Sequence, residues 1–363
     1  MRLVLVIMGI MAILAALWLR AVKKLTVDFT VMWGSLGILF VLTGAITPLS
    51  ALLRECFAGA GQAAAVLGLV CLAAVLQFSL ALSRLTLKNQ DLAIEVSLLK
   101  QENKKNEKKE LLVIMPAHNE ERNIRRVLEQ LKKQKIFEIA DVLVVDDASS
   151  DATGQAAEEQ GCILISNIFW MGYGSALQLG YRYAVKEHYQ YVIQMDADGQ
   201  HDVCNIPVIY RRLQEKEGDG QEPDIVLGSR FMEGSSDFRV IPLKRFAYAW
   251  FRLIIRAVTG MKIADPTTGL QGLSRKAFCY YSEEGHFDDR YPDANMVIQM
   301  LLLKFRVVQL PAVMHARMEG QSMHRGPKEA WYMCRMFFDI PAMVLRIRGF
   351  QIDRGAGDGN ELR

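Results

Sequence analysis

Several patterns that would place the chain in a common class are missing from its 363 residues. The six cysteines are scattered and none forms a Cys-x-x-Cys pair, so neither a zinc site nor a disulfide framework is indicated. The net charge of +3 is small, and no basic block carries interleaved aromatic residues, so nucleic acid is not an expected partner. No strand-like run is followed by Gly-x-Gly-x-x-Gly or Gly-x-x-x-x-Gly-Lys-Ser/Thr, which disfavours a dinucleotide fold and a P-loop.

The first part of the chain has long apolar runs instead. Three runs, at about residues 3–19, 29–53 and 63–82, contain no charged side chain. Each is close to the roughly 20 residues that a helix needs to cross the hydrocarbon core. Buried helices of a soluble protein are the alternative, but three such runs in succession are rare outside membranes. We therefore predict three membrane spans.

The basic residues of the connections predict the orientation of these spans. Arg20, Lys23 and Lys24 follow the first run, and Arg84 and Lys88 follow the third. Because positively charged connections stay in the cytosol, we expect a multi-pass cell-membrane protein with its N-terminus outside and its catalytic domain in the cytosol.

From residue 111 the pattern changes to short apolar runs that alternate with helical periodicity. Strands are predicted at residues 111–115, 142–145, 162–166, 191–195 and 225–228. Asn119 is predicted to cap the first helix between them. Strands that alternate with helices predict parallel βαβ units, and in such sheets the ligand lies at the carboxyl ends of the strands.

The residues suited to chemistry lie where that rule places them. They are Pro116, His118 and Glu120 after the first strand, Asp146 and Asp147 after the second, Asp196 and Asp198 after the fourth, and Ser229 and Arg230 after the fifth. Asp147 is a candidate for hydrogen bonding a nucleobase or ribose, whereas Asp146 is expected to cap the following turn. Arg230 could hold a diphosphate as a bidentate fork, its alternative being a surface arginine.

The stretch Met195–His201 is the sharpest signal in the chain. Asp196 and Asp198 place two carboxylates just past a buried strand. Such hard oxygen ligands suit Mg²⁺ or Mn²⁺, which take one or two carboxylates and leave other positions to substrate phosphates. A metal there would neutralise charge developing on a nucleoside diphosphate leaving group. A solvated turn is the alternative for an isolated Asp-x-Asp, but the position after a strand favours a site.

These motifs resemble family 2 glycosyltransferases of the polyprenyl-phosphate sugar transferase (dolichol-phosphate mannosyltransferase-like) type. The matching stretches are Met115-Pro-Ala-His-Asn-Glu-Glu121, Val144-Val-Asp-Asp-Ala-Ser-Ser-Asp151, Gly172-Tyr-Gly-Ser-Ala176, Met195-Asp-Ala-Asp-Gly-Gln-His201, Gly228-Ser-Arg230, Asp265-Pro-Thr-Thr-Gly269 and Arg317-Met-Glu-Gly-Gln-Ser322. The resemblance implies an α/β GT-A fold, Rossmann-like with a mostly parallel sheet, and transfer with inversion at the sugar carbon.

The resemblance also implies the site residues. The nucleotide-sugar pocket would contain Pro116, Ala117, His118, Glu120, Asp147, Asp196, Ala197 and Arg230. The metal ligands would be Asp198 and Gln200, with Asp196 on the metal or the ribose. Asp198 and Arg230 would also act in the reaction, together with Asp293. Family members usually carry tyrosine or a similar aromatic residue where His118 stands, which leaves the choice of nucleotide base open.

The N-terminal region has a resemblance of its own. Residues 1–105 resemble a small bacterial membrane domain of unknown function that is often found near family 2 glycosyltransferases, which implies a bacterial protein. The matching features are the basic Arg20–Lys24 turn, Trp33, Pro48 and a third span that runs into a polar helix. That helix is either a short coiled coil or a stalk packed on the next domain.

The later segments bear on the acceptor. No Gln-x-x-Arg-Trp motif of a processive polysaccharide synthase follows the catalytic domain, which is expected at residues 110–325. Residues 326–348 predict an amphipathic interfacial helix, or else a helix docked on the domain's own surface, and residues 349–363 a flexible tail. On a helix at residues 246–259 and just before it, Arg245, Arg252 and Arg256 share one face, which suits anionic lipid and a carrier phosphate. A solvated charged face is the alternative. Ser322 is assigned to the same acceptor side.

Two acceptors remain open. A lipid monophosphate is already anionic near neutral pH and needs no strong base, whereas a hydroxyl of a lipid-linked glycan or glycolipid does. Asp293 lies where hydroxyl-glycosylating relatives keep an acid, so it is either that base or a residue that positions the acceptor. The expected partners are a nucleotide-sugar donor, one of these acceptors and membrane lipids. The oligomeric state, including a homo-oligomer, is left open.

Overall fold

The computed structural model describes residues 2–48, 51, 62–99, 108–235, 242–315 and 327–355. The chain divides into two compact units. One unit combines Met1–Asn89 with His324–Arg363, and the other is Gln90–Met323. The last segment of the chain therefore belongs to the same unit as the predicted spans.

The first unit is helical. Its elements are α1 (Arg2–Ala21), α2 (Val27–Ala45), most of α3 (Gln62–Leu99) and the final helix α12 (Pro327–Gly355). Three helical segments, Arg2–Ala21, Val27–Ala45 and Leu67–Leu99, are long and apolar enough to cross a membrane, in agreement with the three predicted runs. The predicted helix after the third run continues to Leu99, and residues 100–107 lie outside the described part.

The second span ends earlier than expected. α2 stops at Ala45, and Ile46 already has an extended backbone with φ −88° and ψ 112°. Thr47 and Pro48 are helical again, so Ile46 marks a break between two helical segments. The predicted run to residue 53 therefore contains a break after Ala45, and its residues 49–50 and 52–53 lie outside the described part.

Small residues and hydroxyls pack the spans together. A Cβ atom on Gly9 would overlap the carbonyl oxygen of Gly37, so glycine lets α1 and α2 approach closely, as is common between membrane helices. The indole of Trp33 donates to the Ser79 hydroxyl over 3.4 Å, and the Thr26 amide donates to Ser83 Oγ over 3.1 Å. These bonds join α2 to α3.

α12 packs on α1 and α2 through two ion pairs. Arg335 is 1% exposed and its Nη1 lies 3.2 Å from Asp28 Oδ1. Asp339 Oδ1 lies 2.8 Å from Arg20 Nη2. The charges that interrupt the predicted interfacial helix thus pair with the end of α1 and the start of α2. The helix also continues to Gly355, past residue 348 where a tail was expected, and residues 356–363 lie outside the described part.

The second unit is built on a seven-stranded sheet of order β3-β2-β1-β4-β6-β5-β7. The strands are β1 (Leu111–Ala117), β2 (Ala140–Asp146), β3 (Ile163–Ser166), β4 (Tyr191–Gln194), β5 (Ile225–Ser229), β6 (Gln271–Ser274) and β7 (Val307–Pro311). β6 is antiparallel to β4 and β5, and the other pairs are parallel. β4 and β5 thus run the same way, and their carboxyl ends share one edge. The mostly parallel GT-A-like sheet is confirmed.

Helices cover both faces of this sheet. They are α4 (Glu121–Lys133), α5 (Ile136–Ile139), α6 (Thr153–Glu159), α7 (Tyr173–Lys186), α8 (Asn205–Gln214), α9 (Pro242–Thr259), α10 (Arg275–Ser282) and α11 (Ala294–Leu302). Leu128 of α4 and Ile209 of α8 join Val113 and Val144 in one core cluster, while Gly180 brings α7 against Ile114 on the opposite side of β1. β1 and β2 are buried along their whole length, whereas His118 and Asn119 just after β1 are exposed.

The paired charges of α12 lead to a testable expectation. Asp28→Asn should lower the stability of the helical unit by up to about 3 kcal/mol, because it leaves the buried guanidinium of Arg335 without its carboxylate. Thermal unfolding in detergent would report the loss. The double variant Asp28→Asn/Arg335→Met should be more stable than Asp28→Asn alone, since no unpaired charge stays buried. Additive losses in the double variant would contradict this account of the pair.

Candidate functional site

The connection after β1 lies against the end of β2. The Asp147 amide donates to the Ala117 carbonyl over 2.8 Å, and His118 Nδ1 lies 2.7 Å from the Asp147 carbonyl oxygen. Pro116 and Ala117 are buried in β1, so they can contact a ligand only through atoms at the strand end. The predicted pocket residues before and after the first helix are therefore brought together.

Asn119 does not cap α4 as expected. It has a left-handed backbone with φ 55°, and its side-chain oxygen accepts the Ser150 amide over 2.8 Å. Glu120 takes the N-cap position without a side-chain cap bond. Its carboxylate instead accepts the Asn123 side chain over 2.6 Å. Asn119 thus joins two loops at the edge of the sheet.

Asp147 holds the loop between β3 and α7. Its Oδ1 accepts the Asn167 side chain over 2.7 Å and the Met171 amide over 2.9 Å. Its Oδ2 accepts the Gly172 amide over 2.7 Å. Burial raises the pKa of this carboxyl, and the three donors oppose that rise. The expected bond to a nucleobase or ribose stays a prediction, since much of the acceptor capacity serves the loop. Asp146 accepts the Ser149 amide over 3.0 Å, which confirms its turn-capping role.

Trp170 is a residue that sequence reasoning missed. It follows two other exposed apolar residues, Ile168 and Phe169, in the loop held by Asp147. The Trp170 and His118 ring centroids are 6.3 Å apart and the rings are tilted by 48°. Four apolar residues in a row, 168–171, between a strand and a Gly-x-Gly stretch were the available signal.

The Asp-x-Asp turn begins directly after β4. Asp198 Oδ1 accepts the Gln200 amide over 3.0 Å, and Gly199 has the positive φ of 78° that the turn requires. The Asp196 amide donates to His201 Nδ1 over 3.0 Å. His201 also forms an antiparallel bridge with Met314. The turn is therefore tied to the segment that follows β7.

The two carboxylates of the turn differ in environment. Asp198 is 8% exposed, whereas the side chain of Asp196 is 30% exposed. Ala197 between them is buried. Among the residues that the structure describes, no three His, Cys, Asp or Glu side chains lie close enough to hold a metal ion on their own. The predicted metal set therefore consists of the two aspartates and the Gln200 amide, and its role stays a prediction.

Tyr173 supports Asp196 and was also missed. Its hydroxyl donates to Asp196 Oδ1 over 2.8 Å. Burial, and then the charge of Asp196, raise the pKa of Tyr173 well above its ordinary value, so the phenol stays a donor. On the other side, a Cβ atom on Gly269 would lie 2.9 Å from Asp196 Oδ2. Tyrosine and glycine thus fix where this carboxylate lies.

Arg230 holds a buried aspartate in this structure. Its Nε and Nη2 donate to the two oxygens of Asp265, both over 2.7 Å, and Nη2 also donates to Thr267 Oγ1 over 2.8 Å. Burial lowers the pKa of Arg230, but the hydrogen bonds and the charge of Asp265 raise it by more, so the pKa lies above its ordinary value. The fork that was expected to hold a diphosphate is used here by Asp265, so the diphosphate contact stays a prediction.

Asp293 lies at the N-cap position of α11, and its side chain makes no capping hydrogen bond. Its charge contributes to the raised pKa values of Tyr173, Arg230 and Tyr248. Asp293 is therefore near the phenol that binds Asp196 and near the Arg230–Asp265 pair. Of the three residues expected to act in the reaction, Asp293 and Arg230 thus lie near each other, and the roles of all three stay predictions.

The acceptor residues are only partly placed. Arg245 is exposed at the start of α9, and the Arg252 guanidinium lies 5.0 Å from the Phe231 ring centroid. On another face of this helix, Phe251 and Ile255 are fully buried in the protein, so these two side chains are not available to lipid. Arg256 is exposed, and Ser322 lies outside the described residues.

Gly174 offers a test of how the site is held together. A Cβ atom there would overlap the backbone of Asp288 and Asp289, which precede Asp293. Gly174→Ala should therefore lower stability by about 1–3 kcal/mol and weaken activity, because a backbone neighbour cannot turn away. Thermal unfolding and turnover would be measured against Gly218→Ala, where no atom lies within 4 Å. Equal behaviour of both variants would contradict the expected overlap.

Comparisons with known proteins indicate the family to which the chain belongs. The family model described as glycosyl transferase family 2 matches residues 112–281. An uncharacterized protein of Methanocaldococcus jannaschii is 33% identical over 176 residues, which cover 47% of this chain and 67% of that protein. The undecaprenyl-phosphate mannosyltransferase of Micrococcus luteus is 27% identical over 60% of this chain and 88% of its own length.

A solved structure is similar in outline. The mannosyl-3-phosphoglycerate synthase of Rubrobacter xylanophilus superposes with a TM-score of 0.49 at 18% identity, over 66% of this chain and 75% of that protein. The sequence relatives are the stronger finding, and they extend to named polyprenyl-phosphate sugar transferases. On the family match and these relatives, the chain belongs to family 2 of the glycosyltransferases.

Proposed function

We propose that the protein transfers a sugar from a nucleotide-sugar to a polyprenyl-phosphate carrier at the cytosolic face of the membrane. The observation that carries the proposal is the position of Asp196, which follows β4 and accepts a hydrogen bond from the Tyr173 hydroxyl. Asp293 lies near both Tyr173 and Arg230. Membership of the family supports sugar transfer, and the Micrococcus luteus relative supports the lipid carrier.

The donor would lie across the ends of β1, β2 and β4. His118 and Asp147 are joined at the β1–β2 end, so they would surround the nucleoside part. Glu120, Pro116 and Ala117 complete this wall. The diphosphate would then reach the Asp-x-Asp turn, and the sugar would lie towards Asp293.

The residues of the turn fit a divalent cation. Asp196, Asp198 and Gln200 offer carboxylate and amide oxygens, the donor types that Mg²⁺ and Mn²⁺ prefer. Gly269 has no side chain and so leaves room for the Asp196 carboxylate, which a Cβ atom there would crowd. A protein set this small suits an ion that takes its remaining ligands from substrate phosphates. When bound, the ion would neutralise charge on the departing nucleoside diphosphate.

The acceptor would attack with a phosphate oxygen. A phosphate monoester is largely ionised near pH 7, because its second pKa is about 6, so no residue has to remove a proton. The oxygen forms a bond to the anomeric carbon as the bond to the nucleoside diphosphate breaks, and the configuration inverts. Asp293 would position the acceptor. Membrane spans and the exposed arginines Arg245 and Arg256 would keep the enzyme near its lipid.

A second acceptor, the hydroxyl of a lipid-linked glycan or glycolipid, is favoured by one observation. Asp293 lies near Tyr173, the hydrogen-bond partner of Asp196, and near Arg230. A hydroxyl needs a base, and this carboxylate is a candidate. We keep this as the alternative activity.

A donor screen tests the proposal. Detergent-solubilised protein with Mn²⁺ or Mg²⁺ and undecaprenyl phosphate should release nucleoside diphosphate from one of GDP-mannose, UDP-glucose or related donors. The labelled sugar should extract with the lipid. Asp198→Ala should lower turnover by 100-fold or more, on the order of the several kcal/mol that a metal supplies. Release that ignores the lipid phosphate would move the acceptor to a hydroxyl.

Asp293 separates the two acceptors. With a lipid phosphate, Asp293→Asn should keep at least a tenth of the wild-type kcat, because the acceptor is already ionised. With a hydroxyl acceptor, the same change should lower kcat by about 100-fold or more. Equilibrium binding of nucleoside diphosphate should be unchanged in either case. A large loss of lipid-phosphate transfer with intact nucleotide binding would contradict the preferred acceptor.

A further inference from the structure

We propose that Trp170 is the outer wall of the nucleobase site and that it recognises the base by stacking, with His118 as the facing ring. The inference rests on the proposed function, which places a nucleoside at the ends of β1 and β2. It adds a recognition residue from the loop between β3 and α7, and it assigns the way in which His118 takes part.

The hydrogen bonds of His118 leave its ring faces for a ligand. The Asp147 carbonyl oxygen can only accept, so Nδ1 at 2.7 Å carries the proton. In the neutral ring Nε2 is then an acceptor, and it takes the Asn119 side-chain amide over 3.1 Å. Both ring nitrogens are therefore used by the protein, and the ring plane is fixed. A base at this position would meet an aromatic face rather than a hydrogen-bonding edge.

Trp170 lies where it can cover that face. Its ring centroid is 6.3 Å from that of His118, with a tilt of 48°. The side chain is 61% exposed, so it has room to turn on its side-chain torsions as a planar ligand enters the wedge between the rings. A large apolar side chain exposed to water is unfavourable unless a partner covers it. A planar ligand that stacks on the indole would explain why Trp170 is exposed beside the imidazole of His118.

The loop backbone is held although its side chains are exposed. The Asn167 amide donates to the Asp146 carbonyl over 2.8 Å, and the Met171 and Gly172 amides donate to the Asp147 carboxylate. These anchors lie on both sides of Trp170. The backbone that carries the indole is therefore already ordered, so less conformational entropy is lost when a base stacks on it.

Stacking by two rings reads the flat surface of a base and not its edge. Every nucleobase has such a surface, so these two residues give affinity with little preference between uracil and guanine. Any preference between donors must then come from other groups of the pocket. The affinity for a ligand without a base, such as inorganic pyrophosphate, should not depend on Trp170.

Binding to the full-length protein in detergent with Mn²⁺ tests this assignment. Trp170→Ala should weaken UDP and GDP by about 10-fold or more, the loss of one base stack, and should leave the affinity for inorganic pyrophosphate within about 2-fold. Trp170→Phe should restore most of the affinity, because an aromatic face remains. Phe169→Ala is the matched control, because Phe169 is a neighbouring aromatic side chain that is also exposed. This variant should bind UDP, GDP and inorganic pyrophosphate with wild-type affinity.

The outcomes distinguish the inference from the function beneath it. Wild-type protein that binds neither nucleotide would overturn the proposed function together with this inference. Wild-type binding that Trp170→Ala leaves intact, or an equal loss for pyrophosphate, would overturn the inference alone. The fluorescence difference between wild type and Trp170→Phe gives a further reading. Quenching by UDP supports stacking, whereas a blue shift with anionic vesicles and no response to UDP would assign the indole to the membrane surface.

Discussion

The buried carboxylate of Asp147 is the interaction on which the rest of the site depends. A charge in the protein interior is costly unless donors surround it, and here the donors are the two ends of one loop. By fixing the Gly172 amide, Asp147 sets where α7 begins. The next residue, Tyr173, then directs its hydroxyl at Asp196. A single carboxylate thus couples the end of β2 to the Asp-x-Asp turn after β4.

Much of the fold could be predicted from the sequence because its signals are local. The runs that form β1, β2 and β4 are β-branched and apolar, and the carboxylates that follow them share an edge, as parallel strands require. β6 could not be predicted, because Gln271-Gly-Leu-Ser274 has neither the composition nor the alternation of a strand. Its glycine is needed for the close packing of Ile209, a contact that no local pattern announces.

The site residues show the same division. Motifs identified Asp147, Asp196 and Arg230, but not what each side chain holds. Arg230 was expected to contact a diphosphate, which stays a prediction. What the motif did not reveal is its fork with Asp265, which forms because a fully buried carboxylate needs a partner of opposite charge. Tyr173 and Trp170 were missed because their importance lies in which distant residue they reach. The sequence reveals the residue types of the site, but it does not reveal which distant residues their side chains contact.

The ion pairs of α12 have a consequence for how the protein is made. Asp28 and Arg20 emerge from the ribosome early, whereas Arg335 and Asp339 follow only after the whole catalytic unit has been synthesised. Because domains form in the order in which they are translated, the helical unit stays incomplete until Arg335 and Asp339 have been synthesised. Until then, Asp28 and Arg20 lack these two partners. The ion pairs of the helical unit can therefore form only in a chain that has been translated through residue 339.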